Sequence, residues 1–285
     1  MERQQNTQLY TKRTQNKSKS LIYGVKYVKK ELDGIKGLNL EGYINFLERI
    51  FSGHDRTFID ANLMRIISPD IIKYLLNNED YKNLEEFVNK SYFYSLELED
   101  LISRHNGIVT CDGVLDEISN NTLQYKEWIS HYEEILDESK NGHSKKLLLK
   151  ERLREIRQTE VNMHHILDER NKDEPFTTLT PSIDKSLREI FCGEDYASEN
   201  DKGLIIKFIN TASHSDREIA LISKDSDIYL LAKKLLDKIQ YFKEITKQEI
   251  AILTSYPEYG LPMNYTRAKC FKEPPKPLPS STISA

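Results

Sequence analysis

Two apolar periods divide this chain. Short unbroken apolar runs predict strands over Thr57–Asp60, Ile108–Cys111, Ile219–Ile222 and Glu249–Leu253. Between them, apolar residues recur at three- and four-residue spacing, which predicts helices. The first helical region covers Leu21 to Phe51, with Tyr23, Tyr27, Leu32 and Ile35, then Leu40, Tyr43, Leu47 and Ile50, and ends at Ser52-Gly53-His54-Asp55. Pro69-Asp70 opens a further zone (Ile71, Ile72, Leu75, Leu76), followed by one through Leu84, Phe87 and Val88. Asn121 to Arg170 is charged and helical without any strand signal, and reads as an inserted helical hairpin. Pro175–Pro181 reads as a loop, Ile183–Phe191 as a short helix, Leu204 to Ile209 as a helix face and Ile228–Ile239 as a helix. Alternation of strand and helix predicts an α/β protein whose parallel sheet is covered on both faces.

The strand ends carry the chemistry. In an open α/β sheet ligands bind beyond the carboxyl ends of parallel strands. Acids stand at those ends, or open the helices that follow: Asp60 after Thr57-Phe58-Ile59, Asp116 and Glu117 after Ile108-Val109, Asp201 in Ser198-Glu199-Asn200-Asp201, and Asp225 and Asp227 after Ile219–Ser223. Side-by-side parallel strands would bring them into one cleft. Crowded carboxylates raise each other's pKa unless a cation neutralises them, and an all-oxygen donor set suits Mg²⁺ or Mn²⁺.

Each acid also has a structural explanation. Asp60 suits a helix N-cap as well as a ligand position, and Asn62 can bond to its own turn. Asp201 leads the apolar edge Leu204, Ile205, Phe208 and Ile209, although Ser198 or Asn200 could serve as the cap. Between Asp116 and Glu117, helical periodicity chooses Glu117: it lies beside the stripe of Val114 and Ile118, while Asp116 points to water. Ser223-Lys224-Asp225-Ser226-Asp227 is the most specific local motif, two acids and two hydroxyls between a strand and a helix.

In order, Phe-Ile-Asp-Ala-Asn, Asp-Gly-Val-Leu-Asp-Glu-Ile, Asn-Asp-Lys-Gly-Leu-Ile and Ser-Lys-Asp-Ser-Asp resemble the PIN-domain nucleases over residues 55–120 and 196–255. The resemblance implies a three-layer α/β/α sandwich around a central parallel sheet. It implies a metal-dependent endoribonuclease acting on single-stranded RNA with Mg²⁺ or Mn²⁺. It matches Asp60, Glu117, Asp201 and Asp225 to metal ligands, with Asp227 as a further catalytic acid. Asn62 and Ser223 would orient those carboxylates. The N-terminal helices and the insertion depart from the compact members of that family.

Composition refines the expectation. The net charge is -4, but basic residues cluster: eight Lys/Arg against one Glu in residues 1–30, and six against two acids over Lys145–Arg157. Lys145, Lys146, Lys150 and Arg152 are candidate contacts to a phosphate backbone, or else one solvated helix face. A catalytically silent scaffold binding RNA, or a protein partner through the insertion, is the alternative to an enzyme; repelling acids have no purpose in it. A haloacid-dehalogenase-like phosphatase built on Asp225-Ser226-Asp227 lacks the later lysine and acidic motif it needs. Cys111, Cys192 and Cys270 form no CxxC pair, and no apolar run approaches the roughly 18 residues of a membrane span, so a cytoplasmic protein is expected. The domain plan is a disordered basic arm (1–20), a PIN-like domain (21–265) with an N-terminal helical region (21–54) and a helical insertion (121–195), and a flexible tail (266–285).

Overall fold

The computed structural model describes residues 32–138 except 34, 143–173, 188–214 except 190, 219–234 except 226, 229, 232 and 233, 250–255, and 265–268. The basic arm, the Pro175–Pro181 loop and most of the segments 183–191 and 235–249 lie outside the described residues.

Among the described residues, the elements run in the order α1 (Leu40–Gly53), β1 (Arg56–Ile59), a 3₁₀ turn (Ala61–Met64), α2 (Pro69–Asn77), α3 (Tyr81–Arg104), β2 (Ile108–Val109), α4 (Asp112–Glu138), α5 (His143–Asp173), α6 (Glu199–His214), β3 (Ile219–Ser223), β4 (Ile250–Ser255) and β5 (Tyr265–Ala268). The sheet order is β2-β1-β3-β4-β5. The first four strands are parallel and β5 is antiparallel to β4. The expected α/β class with an open parallel sheet is therefore present. β3 is buried along its whole length, as a parallel strand covered on both faces should be.

Two local expectations need correction. The first helical region is interrupted: Leu38 and Asn39 are not helical, and Asn39 caps α1 by accepting a hydrogen bond from the Gly42 N–H at 3.0 Å. Asn has low intrinsic helix preference because its side chain bonds to nearby backbone. The tail expected from residue 266 begins with β5, whose residues complete the sheet edge through pairs such as Leu253 with Arg267.

Register sets the site. Ile59 lies opposite Ile222, so the strand ends at Asp60 and Ser223 arrive side by side. On the other flank Thr57 pairs with Ile108 and Phe58 with Val109, and Thr110 Oγ1 donates to the Ile59 carbonyl at 2.7 Å. Gly107 admits β2 here, since a Cβ on it would stand 2.3 Å from the Asp55 carbonyl oxygen.

Two long helices run between the acid motifs. α4 continues from the turn bearing Glu117, and α5 returns to pack on both α3 and α4. It is built into the core rather than appended to it. Met163 and Leu167 join the main apolar cluster with Phe58, Leu204 and Leu221, while Leu149, Leu153 and Ile156 close a second cluster with Ile71, Leu75 and Phe87. Burial at that scale dominates the folding free energy. Polar ties add direction: Arg170 reaches the carbonyls of Ile102 and His105 at 2.7 and 2.9 Å. Among the described residues, no helix is long and apolar enough to cross a membrane.

Candidate metal centre

Asp60 ends β1 and caps the 3₁₀ turn. Its Oδ1 accepts from the Ala61 N–H at 2.7 Å, and its Oδ2 accepts from Asn62 Nδ2 and Ser223 Oγ, both at 2.7 Å. Both readings of Asp60 therefore hold at once, cap and cleft acid. Asn62 also donates to Ser223 Oγ at 3.2 Å and accepts the Lys224 N–H at 3.0 Å. Ser223 Oγ in turn accepts the Asp225 N–H at 2.9 Å, and Asp225 Oδ1 accepts the Asp227 N–H at 2.8 Å. The end of β1 and the end of β3 are thus one hydrogen-bonded unit, with Asn62 and Ser223 orienting the carboxylates, as the motif pattern anticipates.

Asp201 enters from α6. Ser198 is the N-cap there: its hydroxyl accepts the Asp201 N–H at 3.1 Å, while Asp201 Oδ2 accepts from the Ser198 N–H at 2.9 Å and its hydroxyl at 2.7 Å. This reciprocal capping box fixes the Asp201 side chain at the helix entrance. Gly113, in the first turn of α4, makes room for the same segment, because a Cβ on it would meet Asn200 Oδ1 at 2.5 Å. Asn200 also hydrogen-bonds to Glu117. Close approach of α4 and α6 thereby brings Glu117 and Asp201 to one wall.

Carboxylate oxygens of Asp60, Asp201 and Asp225 all lie within 4.8 Å of one another. Glu117 and Asp227 line the same cleft outside that tight group. The five acids singled out in sequence share one cleft. Three of them form its centre.

Their protonation reflects the crowding. Burial, ahead of repulsion from Asp201, Glu117 and Asp225, pushes Asp60 up to about 7 even though the Ser223 hydrogen bond opposes the rise. Glu117 is raised by burial and then by Asp201. Asp201 is raised by burial and by Asp225 and Asp227, against its bonds to Ser198. A divalent cation relieves this repulsion, and hard carboxylate oxygens from three elements are the donors that Mg²⁺ or Mn²⁺ prefers. The donor set fits such an ion.

Set against known proteins, the chain stands without a match. No family model, curated protein or solved structure matches it.

Asp116 is exposed, as its helix position requires, yet it borders the cleft as well. Facing water and facing an open cleft are compatible, which the choice between Asp116 and Glu117 overlooked. Asn120 and Tyr196 also line the cleft and were not anticipated. Asn120 lies three residues after Glu117 on the same helix face, so its spacing carried the signal. Tyr196 sits in a non-helical segment before α6, where no period points to it.

Lys146, Lys150 and Arg152 are not among the residues that line the cleft. Lys146 is buried, and the Arg152 guanidinium sits 5.7 Å from the centre of the Tyr92 ring. Lys150 is half-buried and the Lys145 side chain lies outside the described residues. Their helix turns carry Leu149 and Leu153 into the second apolar cluster rather than toward the acids.

Proposed function

We propose that this protein is a metal-dependent endoribonuclease: a PIN-like three-layer α/β/α sandwich that binds Mg²⁺ or Mn²⁺ and hydrolyses phosphodiester bonds of single-stranded RNA in the cytoplasm. The observation that carries this reading is the meeting of Asp60, Asp201 and Asp225 oxygens within 4.8 Å at adjoining strand and helix ends. Asp60, Asp201 and Asp225 hold the cation, with Glu117 as a further ligand at the cleft wall and Asp227 beside Asp225. Asn62 and Ser223 would orient the Asp60 carboxylate toward the cation through bonds of 2.7 Å each. When bound, the cation supplies a water of lowered pKa and positive charge against the phosphate. The carboxylates' own negative charge disfavours an anionic substrate in the bare cleft, so binding of RNA depends on the loaded site.

The test is cleavage of end-labelled single-stranded RNA by purified protein with Mn²⁺, with Mg²⁺ and with a chelator. Cleavage is expected with either ion, is lost with chelator, and is lost in Asp201→Asn and Asp225→Asn while their melting temperatures in chelator hold or rise. Parallel reactions on single-stranded DNA and duplex RNA establish the substrate class. No cleavage of any single-stranded RNA by the Mn²⁺-loaded wild type rejects the reading.

A further inference from the structure

Tyr196 is a large aromatic side chain placed among acids. It lines the cleft shared by Asp201, Asp225 and Asp227, and it is 42% exposed. Its neighbours are anchored: Ala197 beside it is buried, Phe191 upstream is buried in the main core, and Ser198 caps α6 two residues later. The segment between these anchors presents a ring that makes little use of the core. Asn120 borders the same cleft from α4 and adds an exposed amide. A phenol ring is a poor partner for Mg²⁺ or Mn²⁺, so the ring is not part of the metal centre. An exposed aromatic face beside a phosphodiester site has a direct chemical use, since every nucleobase offers a π-face to stack on.

We propose that Tyr196 is a stacking platform for a nucleobase next to the bond that is cut, and that the cleft accordingly takes an unpaired strand. This rests on the reading of the cleft as a phosphodiester site. A base inside a duplex is already stacked on both faces and cannot reach the ring without being extruded. Stacking also discriminates little among bases, so the platform selects for single-strandedness rather than for sequence. Tyr196 is a positioning residue: it holds the strand while the acids hold the ion.

The experiment compares wild type, Tyr196→Ala and Tyr196→Phe. Steady-state cleavage of a fluorescent oligouridylate with Mn²⁺ is read as KM and kcat. Anisotropy with Ca²⁺ in place of Mn²⁺, which takes the same oxygen donors and leaves all the acids in place, is read for that oligomer, checked intact on a gel, and for an abasic ribose-phosphate chain of equal length. Tyr196→Ala is expected to raise KM and Kd for oligouridylate roughly tenfold, the scale of one lost base–aromatic stack, with kcat little changed. Tyr196→Phe restores both constants, and the abasic chain binds all three proteins alike. If the wild type cleaves but Tyr196→Ala matches it in KM and Kd, the platform is rejected and the nuclease reading stands. Equal losses on the abasic chain, or failure of Phe to rescue, also reject it, because each assigns the residue another role. If the loaded wild type neither binds nor cleaves the oligomer, the phosphodiester reading fails and the platform fails with it.

Discussion

Ser223 and Asp60 lie 163 residues apart in the chain, yet the Ser223 hydroxyl donates to Asp60 Oδ2 at 2.7 Å. The same hydroxyl oxygen accepts the Asp225 N–H at 2.9 Å, so one side chain joins two of the three central acids. Ser223→Ala should cost about 1–3 kcal/mol, the range for stranding buried hydrogen-bonding groups. It should also push Asp60 further above its ordinary range, because the lost bond is what opposes the rise. Proton competition then weakens Mn²⁺ binding at neutral pH more than at alkaline pH. Mn²⁺ titrations of the melting temperature at both pH values check this; an equal loss at the two would refute the electrostatic role.

Mn²⁺ should raise the melting temperature, since an ion held only by the folded cleft stabilises it by mass action. Saturation at a hundred times Kd corresponds to about 2.7 kcal/mol. Asp201→Asn should abolish most of the shift, because it replaces one of the three clustered carboxylates, whose oxygens lie within 4.8 Å of each other, with a neutral amide. Differential scanning fluorimetry over millimolar Mn²⁺ decides the matter, and no wild-type shift would sink the metal centre.

Without metal, stability should fall as pH rises. Asp60 in the fold is raised from 3.8 to about 7. The fold thus favours its protonated form more than the unfolded chain does. That contribution is complete below the unfolded value, declines above it, and is gone once pH passes the folded value near 7. At roughly 1.4 kcal/mol per pH unit the loss is on the order of 4 kcal/mol. Asp60→Asn cannot ionise, so in chelator it should lack this slope and exceed the wild type in stability above neutrality. Urea denaturation across pH reads both curves, and a wild-type curve that rises over this range contradicts the burial argument.

Arg65 and Glu160 fasten the site turn to the hairpin through bonds of 2.6 and 2.8 Å, with Glu160 buried. Burial raises the Glu160 carboxyl while Arg65 opposes it. Glu160→Ala removes two hydrogen bonds and the ion pair of the Arg65 guanidinium and should cost about 3–5 kcal/mol, whereas replacing both partners by apolar residues should cost much less. A double-mutant cycle by chemical denaturation measures the coupling. Additive losses would show that the pair does not act as a unit.

Substituting Gln at Lys145, Lys146, Lys150 and Arg152 tests the basic segment. If these side chains hold phosphates, the log–log salt slope for single-stranded RNA drops by about 0.7 per lost contact. The burial of Lys146 and the seat of Arg152 over Tyr92 give a different expectation: melting temperature falls and the slope is unchanged. Anisotropy across a salt series, beside a thermal melt, distinguishes the two.

What the sequence determined by itself was local. Apolar runs located β1, β2, β3 and β4 to within a residue or two, and the acids at their ends followed directly. Helical periodicity placed Val114 and Ile118 in the core, left Asp116 exposed and put Glu117 half-buried between them, because side-chain direction on a helix depends only on spacing. Tertiary structure decided what lay at long separation. Strand order put Asp60 beside Ser223, and the seat of α6 against Gly113 brought Asp201 to them. β5 escaped notice because Tyr265-Thr266-Arg267-Ala268 is short and mixed, and its strand conformation comes from pairing with the edge of β4. The basic stretch of α5 reads from sequence as phosphate contacts or a solvated face, because amphipathicity reports which face is apolar but not how closely a neighbouring helix covers its flanks. Tyr196 has no periodic signature at all; only the cleft around it gives its exposure a meaning. Local propensity acts through neighbours along the chain, while a site forms from packing that closes loops between distant residues, and no short window of sequence contains that information.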